Sequence, residues 1–177
     1  QEMKSRVIEL VNTDISGISV GTFHSISAQL LRKNIHKIGY ENNFTIYDQQ
    51  DSKSVVKSII KDMNLDIKQY DPKTFQGKIS NAKNSMLEPV FFKNSAETFI
   101  DEKFYAIYEN YQNILKKNNS VDFDDLLILP LKIFSKYPDC LDYYQKKYQY
   151  ILVDEYQDTN KPQFELIYSL GNKHKDI

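Results

Sequence analysis

The sequence predicts an α/β protein that is predominantly helical, and three observations carry that expectation. Only five Gly and five Pro occur in 177 residues, too few for the many turns of a sandwich or barrel. Apolar residues recur at helical spacing along most of the chain. One short apolar run, Tyr150-Ile151-Leu152-Val153, ends abruptly in acids and has the form of a buried strand in a parallel sheet.

The elements follow in order. Glu2 to Val11 places Met3, Val7, Leu10 and Val11 on one side of a short helix. Ile18-Ser19-Val20-Gly21 reads as a short strand. Thr22 is an N-cap candidate for a helix carrying Phe23, Ile26, Leu30, Leu31 and Ile38, and Gly39 is its stop. Asp48 caps a helix with Val55, Val56, Ile59, Ile60 and Met63. Asp71-Pro72 is a cap followed by proline at the first helical position. Phe99 to Leu115 is the longest expected helix, with Phe104, Ile107, Tyr108, Tyr111 and Leu115 on its apolar face. Asn118-Asn119-Ser120 breaks it, and Asp122 caps another helix with Asp125 at its third position. Phe164, Leu166, Ile167 and Leu170 mark the last one. Two α/β-like ends thus flank a helical middle. Two strands are too few for a self-sufficient doubly wound sheet, so the sequence reads as an internal segment of a longer protein.

Composition narrows the class. Hydrophobic residues make up 41% and include 13 Tyr and 10 Phe, which supports a core and excludes disorder. The net charge of −1 carries no nucleic-acid signal by itself. Between Ser52 and Lys93, however, lysines 53, 57, 61, 68, 73, 78, 83 and 93 face only Asp62, Asp66, Asp71 and Glu88. They read either as a basic patch for phosphates or as a solvated helix surface. The single Cys140 excludes an internal disulfide framework, fits a reducing cytoplasm and reads as a packing residue. No run approaches the roughly 18 apolar residues of a membrane helix, and no signal peptide is seen.

The strongest chemical signal is Ile151-Leu152-Val153-Asp154-Glu155-Tyr156-Gln157-Asp158-Thr159-Asn160. Two carboxylates at the carboxyl end of a buried strand lie where open α/β sheets bind ligands. The first can hold Mg²⁺ beside nucleotide phosphates, and the second can orient or deprotonate an attacking water. The bland alternative is a strand running into a polar loop. Asp122-Phe123-Asp124-Asp125 reads as a helix cap with acids in the first turn rather than a metal site. Tyr105, Tyr108 and Tyr111 have helical spacing and read as packing residues rather than base platforms.

The longer string Asp-Glu-Tyr-Gln-Asp-Thr-Asn resembles the second motif of the UvrD/PcrA/Rep group of superfamily 1 DNA helicases. Val20-Gly21-Thr22-Phe23-His24-Ser25 with Leu30-Leu31-Arg32 resembles that family's DNA-contacting segment. Phe44 to Asp48, Ile79 to Asn84 and Val121 to Leu127 fall between them in the family's order, so the resemblance covers essentially the whole chain. It implies a partial RecA-like, P-loop NTPase motor domain over residues 1–43 and 120–177, with an inserted all-helical subdomain over 44–119. It also implies ATP and Mg²⁺ as cofactors, with single-stranded DNA and a duplex junction as partners. By the same resemblance Asp154 coordinates the metal, Glu155 is the catalytic base, and Gln157 and Asp158 support the nucleotide site. Thr22, Phe23, His24 and Ser25 then belong to the DNA contact.

The departures matter as much. No Gly-x-x-x-x-Gly-Lys-Ser/Thr loop occurs in the 177 residues, so nothing here cradles phosphates. The expected parent is an ATP-dependent 3′–5′ DNA helicase, with the isolated chain inactive in hydrolysis. The alternatives are a non-catalytic DNA-binding or protein-interaction module, and the helicase portion of an AddA/RecB-type nuclease–helicase.

Overall fold

Capping chemistry sets where most helices begin. In the computed structural model, which describes residues 17–95 and 98–173, extended Thr22 accepts a hydrogen bond from the Ser25 amide and starts α1, Phe23–Asn34. A 3₁₀ turn, Ile35–Ile38, continues it and stops at Gly39, whose φ of 81° is costly for any side chain. The strand β1 is Thr45–Ile46. Helix α2, Gln49–Asp62, starts from a capping box of Asp48 and Asp51. Helix α3, Pro72–Asn84, has Asp71 as cap and Pro72 at its first position. After α4, Pro89–Ser95, the longest helix is α5, Phe99–Lys117, opened by a Thr98–Asp101 box. Asn118 and the left-handed Asn119, at φ 49°, end it. Then come β2, Ser120–Val121; α6, Phe123–Lys136, behind an Asp122–Asp125 box; α7, Pro138–Lys147; a 3₁₀ turn, Tyr156–Asp158; and α8, Lys161–Gly171.

Two apolar clusters organise these elements. The first joins Leu30, Leu31 and Ile35 to Phe44, Val121, Leu126, Ile133, Phe134, Tyr144, Leu166 and Leu170. Around it α6 packs on α1, α7 and α8. The second lies wholly within residues 56–115 and is built by Val56, Ile60, Phe75, Ile79, Phe104, Ile107, Tyr111 and Leu115. Here α5 packs on α2 and α4, and α2 packs on α3. β1 and β2 run parallel, with Thr45 opposite Ser120 and Ile46 opposite Val121. The pair brings the two ends of the 49–117 segment side by side.

The structure is therefore mostly helical with one small parallel sheet. The expected helix 2–11 lies outside the described residues. Neither expected strand forms. Ile18 to Gly21 has no strand character, and Ile18 is half exposed. Tyr150 to Val153 is not a strand either, and its Leu152 is 98% exposed. The reason is that a strand exists through its ladder of neighbours, and none flanks this run among the described residues. The strands that do form are two residues long. They were invisible to periodicity, which needs several alternations to register.

Other expectations meet the side chains directly. Tyr108 and Tyr111 are buried as packing residues, while Tyr105 is half-buried and its hydroxyl donates to Glu109. Cys140 is buried in the first cluster. Lys83, counted above with the basic surface, is instead fully enclosed. Among the described residues no helix is long and apolar enough to cross a membrane.

Candidate functional site

The N-terminus of α1 assembles the first group of candidate residues. Thr22 and Ser25 are exposed and hold one another, the Ser25 amide donating to Thr22 Oγ1 at 3.2 Å and Ser25 Oγ donating to the Thr22 carbonyl at 2.9 Å. A side chain on Gly21 would meet Ser25 Oγ and turn it away from its bond to the Thr22 carbonyl. Phe23 turns inward onto the first cluster. His24 rests against Phe123, the first residue of α6, with ring centroids 5.6 Å apart. Burial pushes its imidazole pKa below the usual histidine value, and nearby Asp124 opposes the shift. At neutral pH the ring is therefore an uncharged hydrogen-bonding group. Arg32, three turns on, is absorbed by the fold: it stacks on Phe44 at 3.8 Å and donates to the carbonyls of Asn42 and Phe44.

The acidic group lies on the loop before α8. Asp154, Glu155, Gln157 and Asp158 are all exposed. Asp154 Oδ1 accepts from the Glu155 amide at 3.0 Å, and Gln157 Nε2 donates to Glu155 Oε2. Glu155 has left-handed backbone, φ 50° and ψ 42°, an uncommon state for a non-glycine residue that costs energy. Behind the loop a cavity of about 440 Å³ is lined by Val153, Tyr156, Phe164, Ile167 and Tyr168. Among the described residues no three His, Cys, Asp or Glu side chains converge on one point. A divalent ion at this loop would rest on one or two carboxylates and fill its shell with water or phosphate oxygens. That donor set suits Mg²⁺.

A third group was missed by sequence reasoning. Lys83 Nζ donates to Asp122 Oδ2 and Asp125 Oδ1, each at 2.7 Å, and Tyr111 OH donates to Asp122 Oδ2 at 2.8 Å. Burial works against the ammonium, but Asp125 and Asp122 together hold the Lys83 pKa above its usual value. Burial likewise opposes charge on Asp122, and Lys83 outweighs it to hold that carboxyl low. Asp125 is pushed up to about 6 by burial and by the charge on Asp122. The cap expected at Asp122 is present, yet it is also the ion pair that joins α3 to α6. One signal could have found it: Phe75, Ile79 and Lys83 are spaced i, i+4, i+8, so the lysine sits on the apolar stripe of α3.

Beside this cluster, Asn84 Nδ2 donates to Asp124 Oδ1 at 2.9 Å, and Asn160 Nδ2 donates to Asn84 Oδ1 at 2.9 Å. Asn160 is the N-cap of α8 and directly follows the acidic loop. Both predicted groups thus reach the first turn of α6, His24 through Phe123 and the acidic loop through Asn160 and Asn84.

With this geometry in view, the comparisons are consistent along the whole chain. The UvrD/REP helicase N-terminal domain family profile matches residues 1–177. The ATP-dependent DNA helicase PcrA of Staphylococcus epidermidis is 44% identical over 177 residues, covering all of this chain and 24% of that protein. The proteins of the same name from Bacillus subtilis and Staphylococcus aureus are each 42% identical over the same span. The chain spans about a quarter of the length of these curated relatives.

Proposed function

The chain belongs to the UvrD/REP helicase N-terminal domain family, and on that premise we propose that it is the acid-bearing part of the first motor domain of an ATP-dependent DNA helicase. The parent enzyme couples ATP hydrolysis to 3′–5′ movement on single-stranded DNA and to opening of a duplex junction. The observation that carries this reading is the exposed Asp154-Glu155 pair on its loop, in a chain at least 42% identical throughout to ATP-dependent DNA helicases.

Residues 1–43 and 120–177 are assigned to the RecA-like motor and residues 44–119 to an inserted helical subdomain. The second apolar cluster, whose buried members run from Val56 to Leu115, and the adjacent β1 and β2 support an inserted unit, while Phe44 packs with the motor cluster. The exposed Leu152 fits a strand whose neighbours lie elsewhere in the parent sheet.

Asp154 would hold Mg²⁺, Glu155 would take a proton from the attacking water, and Gln157 would steer the Glu155 carboxylate through its hydrogen bond. When bound, the ion neutralises charge on the nucleotide phosphates. No glycine-rich phosphate loop occurs among the 177 residues, so the chain alone is not expected to turn over ATP. Thr22, His24 and Ser25 form the strand contact together with the backbone of Phe23, whose ring packs inward; a hydroxyl pair, an imidazole and a helix N-terminus suit a phosphate. Lys57, Lys61, Lys68, Lys73, Lys78 and Lys93 are exposed and Lys53 is half-buried, leaving seven of the eight lysines for duplex phosphates.

DNA titrations across a salt series test this reading on the chain itself. Affinity should be weak and fall steeply with salt, because phosphate contacts release counterions. A Thr22→Ala/His24→Ala pair should weaken single-strand binding more than duplex binding. Charge reversal at Lys53, Lys57 and Lys61 should do the opposite. Salt-insensitive binding, or identical effects of both sets on both DNA forms, would overturn the division.

A further inference from the structure

We propose that Asn84 is a positioning residue that couples the DNA-contact end of α1 to the acidic loop. The inference rests on the proposed helicase reading and adds a component to it. Its geometric basis is a directed chain of hydrogen bonds. Asp124 is a carboxylate acceptor, so the Asn84 amide must present its nitrogen to it, which leaves Asn84 Oδ1 facing Asn160. Asn160 must then present its own nitrogen to Asn84, and its Oδ1 accepts from the Gln163 amide at 3.0 Å to cap α8. Each amide is used at both ends, and neither can rotate without breaking two bonds.

The chain joins three elements at one point. Asn84 is the last residue of α3 and bonds back to the Ser80 carbonyl at 2.9 Å. Asp124 lies in the first turn of α6, next to Phe123, on which His24 rests. Asn160 closes the loop that carries Asp154 and Glu155. Lys161 adds a longer contact to the Ser85 carbonyl at 3.4 Å. A displacement of α1 by bound DNA presses on Phe123. The first turn of α6 is anchored to α3 by the buried Lys83 pair, so it moves as a unit with Asn84. The acidic loop follows through Asn160. Within the loop, Gln157 and the Asp158 amide hold Glu155 independently of Asn84. Cutting the link should therefore spare local geometry and lose the response to DNA.

The test uses the full-length protein with Asn84→Ala, Asn160→Ser and both together. Serine keeps a cap acceptor for the Gln163 amide but has no amide nitrogen for Asn84, so α8 is retained. ATP turnover is measured without DNA and with saturating single-stranded DNA, alongside the KM for ATP. Each single variant should lose about tenfold in DNA-stimulated turnover, within the range of ordinary allosteric couplings. DNA-free turnover and KM should be unchanged, and the double variant should fall no further than the worse single, as expected for two ends of one link. Full stimulation in either single variant, equal losses with and without DNA, or multiplying losses in the double variant would overturn the inference while leaving the helicase reading intact. A wild-type protein with no DNA-stimulated turnover would overturn both.

Discussion

Replacing Lys83 with methionine is expected to lower the folding stability of this chain by about 3–5 kcal/mol. Methionine matches the length and volume of the lysine stem, so packing changes little. What is lost is, among the described residues, the cation hydrogen-bonded to two enclosed carboxylates, Asp122 and Asp125. Removing one partner of a buried pair leaves uncompensated charge in a poorly solvated site. Against the roughly 5–15 kcal/mol that typically separates folded from unfolded states, such a loss would leave a marginal protein. The pH dependence has a definite sign. Without the ammonium, burial and mutual repulsion raise both carboxyl pKa values in the folded state, so the folded form gains protons more readily than the unfolded one. The deficit should therefore be larger at pH 7 than at pH 5 and shrink as falling pH neutralises the carboxyls. Adding Asp122→Asn and Asp125→Asn should recover much of the loss, since asparagine still caps a helix. Denaturant unfolding at the two pH values measures this. A loss below about 1 kcal/mol, typical of an exposed pair, and equal at both pH values, would mean that Lys83 is not enclosed as described.

The second large effect concerns chemistry. In the full-length protein, Glu155→Gln is expected to slow ATP hydrolysis by about 10²–10⁴-fold, the usual contribution of a positioned general base. Nucleotide affinity should change little. Glutamine keeps the shape and an oxygen that can accept from Gln157 Nε2, as Glu155 does now, but it cannot take a proton from water. An interaction made only in the transition state lowers kcat and kcat/KM together and leaves binding alone. Single-turnover hydrolysis and equilibrium nucleotide binding separate the two quantities. If affinity falls by the same factor as the rate, Glu155 binds the nucleotide rather than activating water.

Local signals were the legible part of this fold. Thr22, Asp48, Asp71 and Asp122 each begin a helix where a short polar side chain before an apolar run predicts one. The buried stripe of α5 follows its 3.6-residue spacing. These features depend on residues within one turn, so sequence carries them directly. Tyr150 to Val153 failed because a strand depends on neighbours distant in the chain, and an apolar run does not say whether they are present. Lys83 and Asn84 failed for a related reason. Their partners are 39 and 76 residues away in sequence, and a lysine among lysines looks like surface until its helix is drawn as a wheel. The family resemblance offered Asp154, Glu155, Thr22 and His24 as candidates without geometry. It did not reveal that both groups lean on the first turn of α6.

Strand displacement by the full-length protein tests the central claim most directly. The substrates are two duplexes of identical sequence, one with a 3′ single-stranded tail and one with a 5′ tail, each incubated with ATP and Mg²⁺. The helicase reading predicts ATP-dependent unwinding of the 3′-tailed duplex, little of the 5′-tailed one, and none of either with Glu155→Gln. Unwinding that is indifferent to ATP or to Glu155→Gln, or no unwinding together with ATP turnover that DNA does not stimulate, would contradict it.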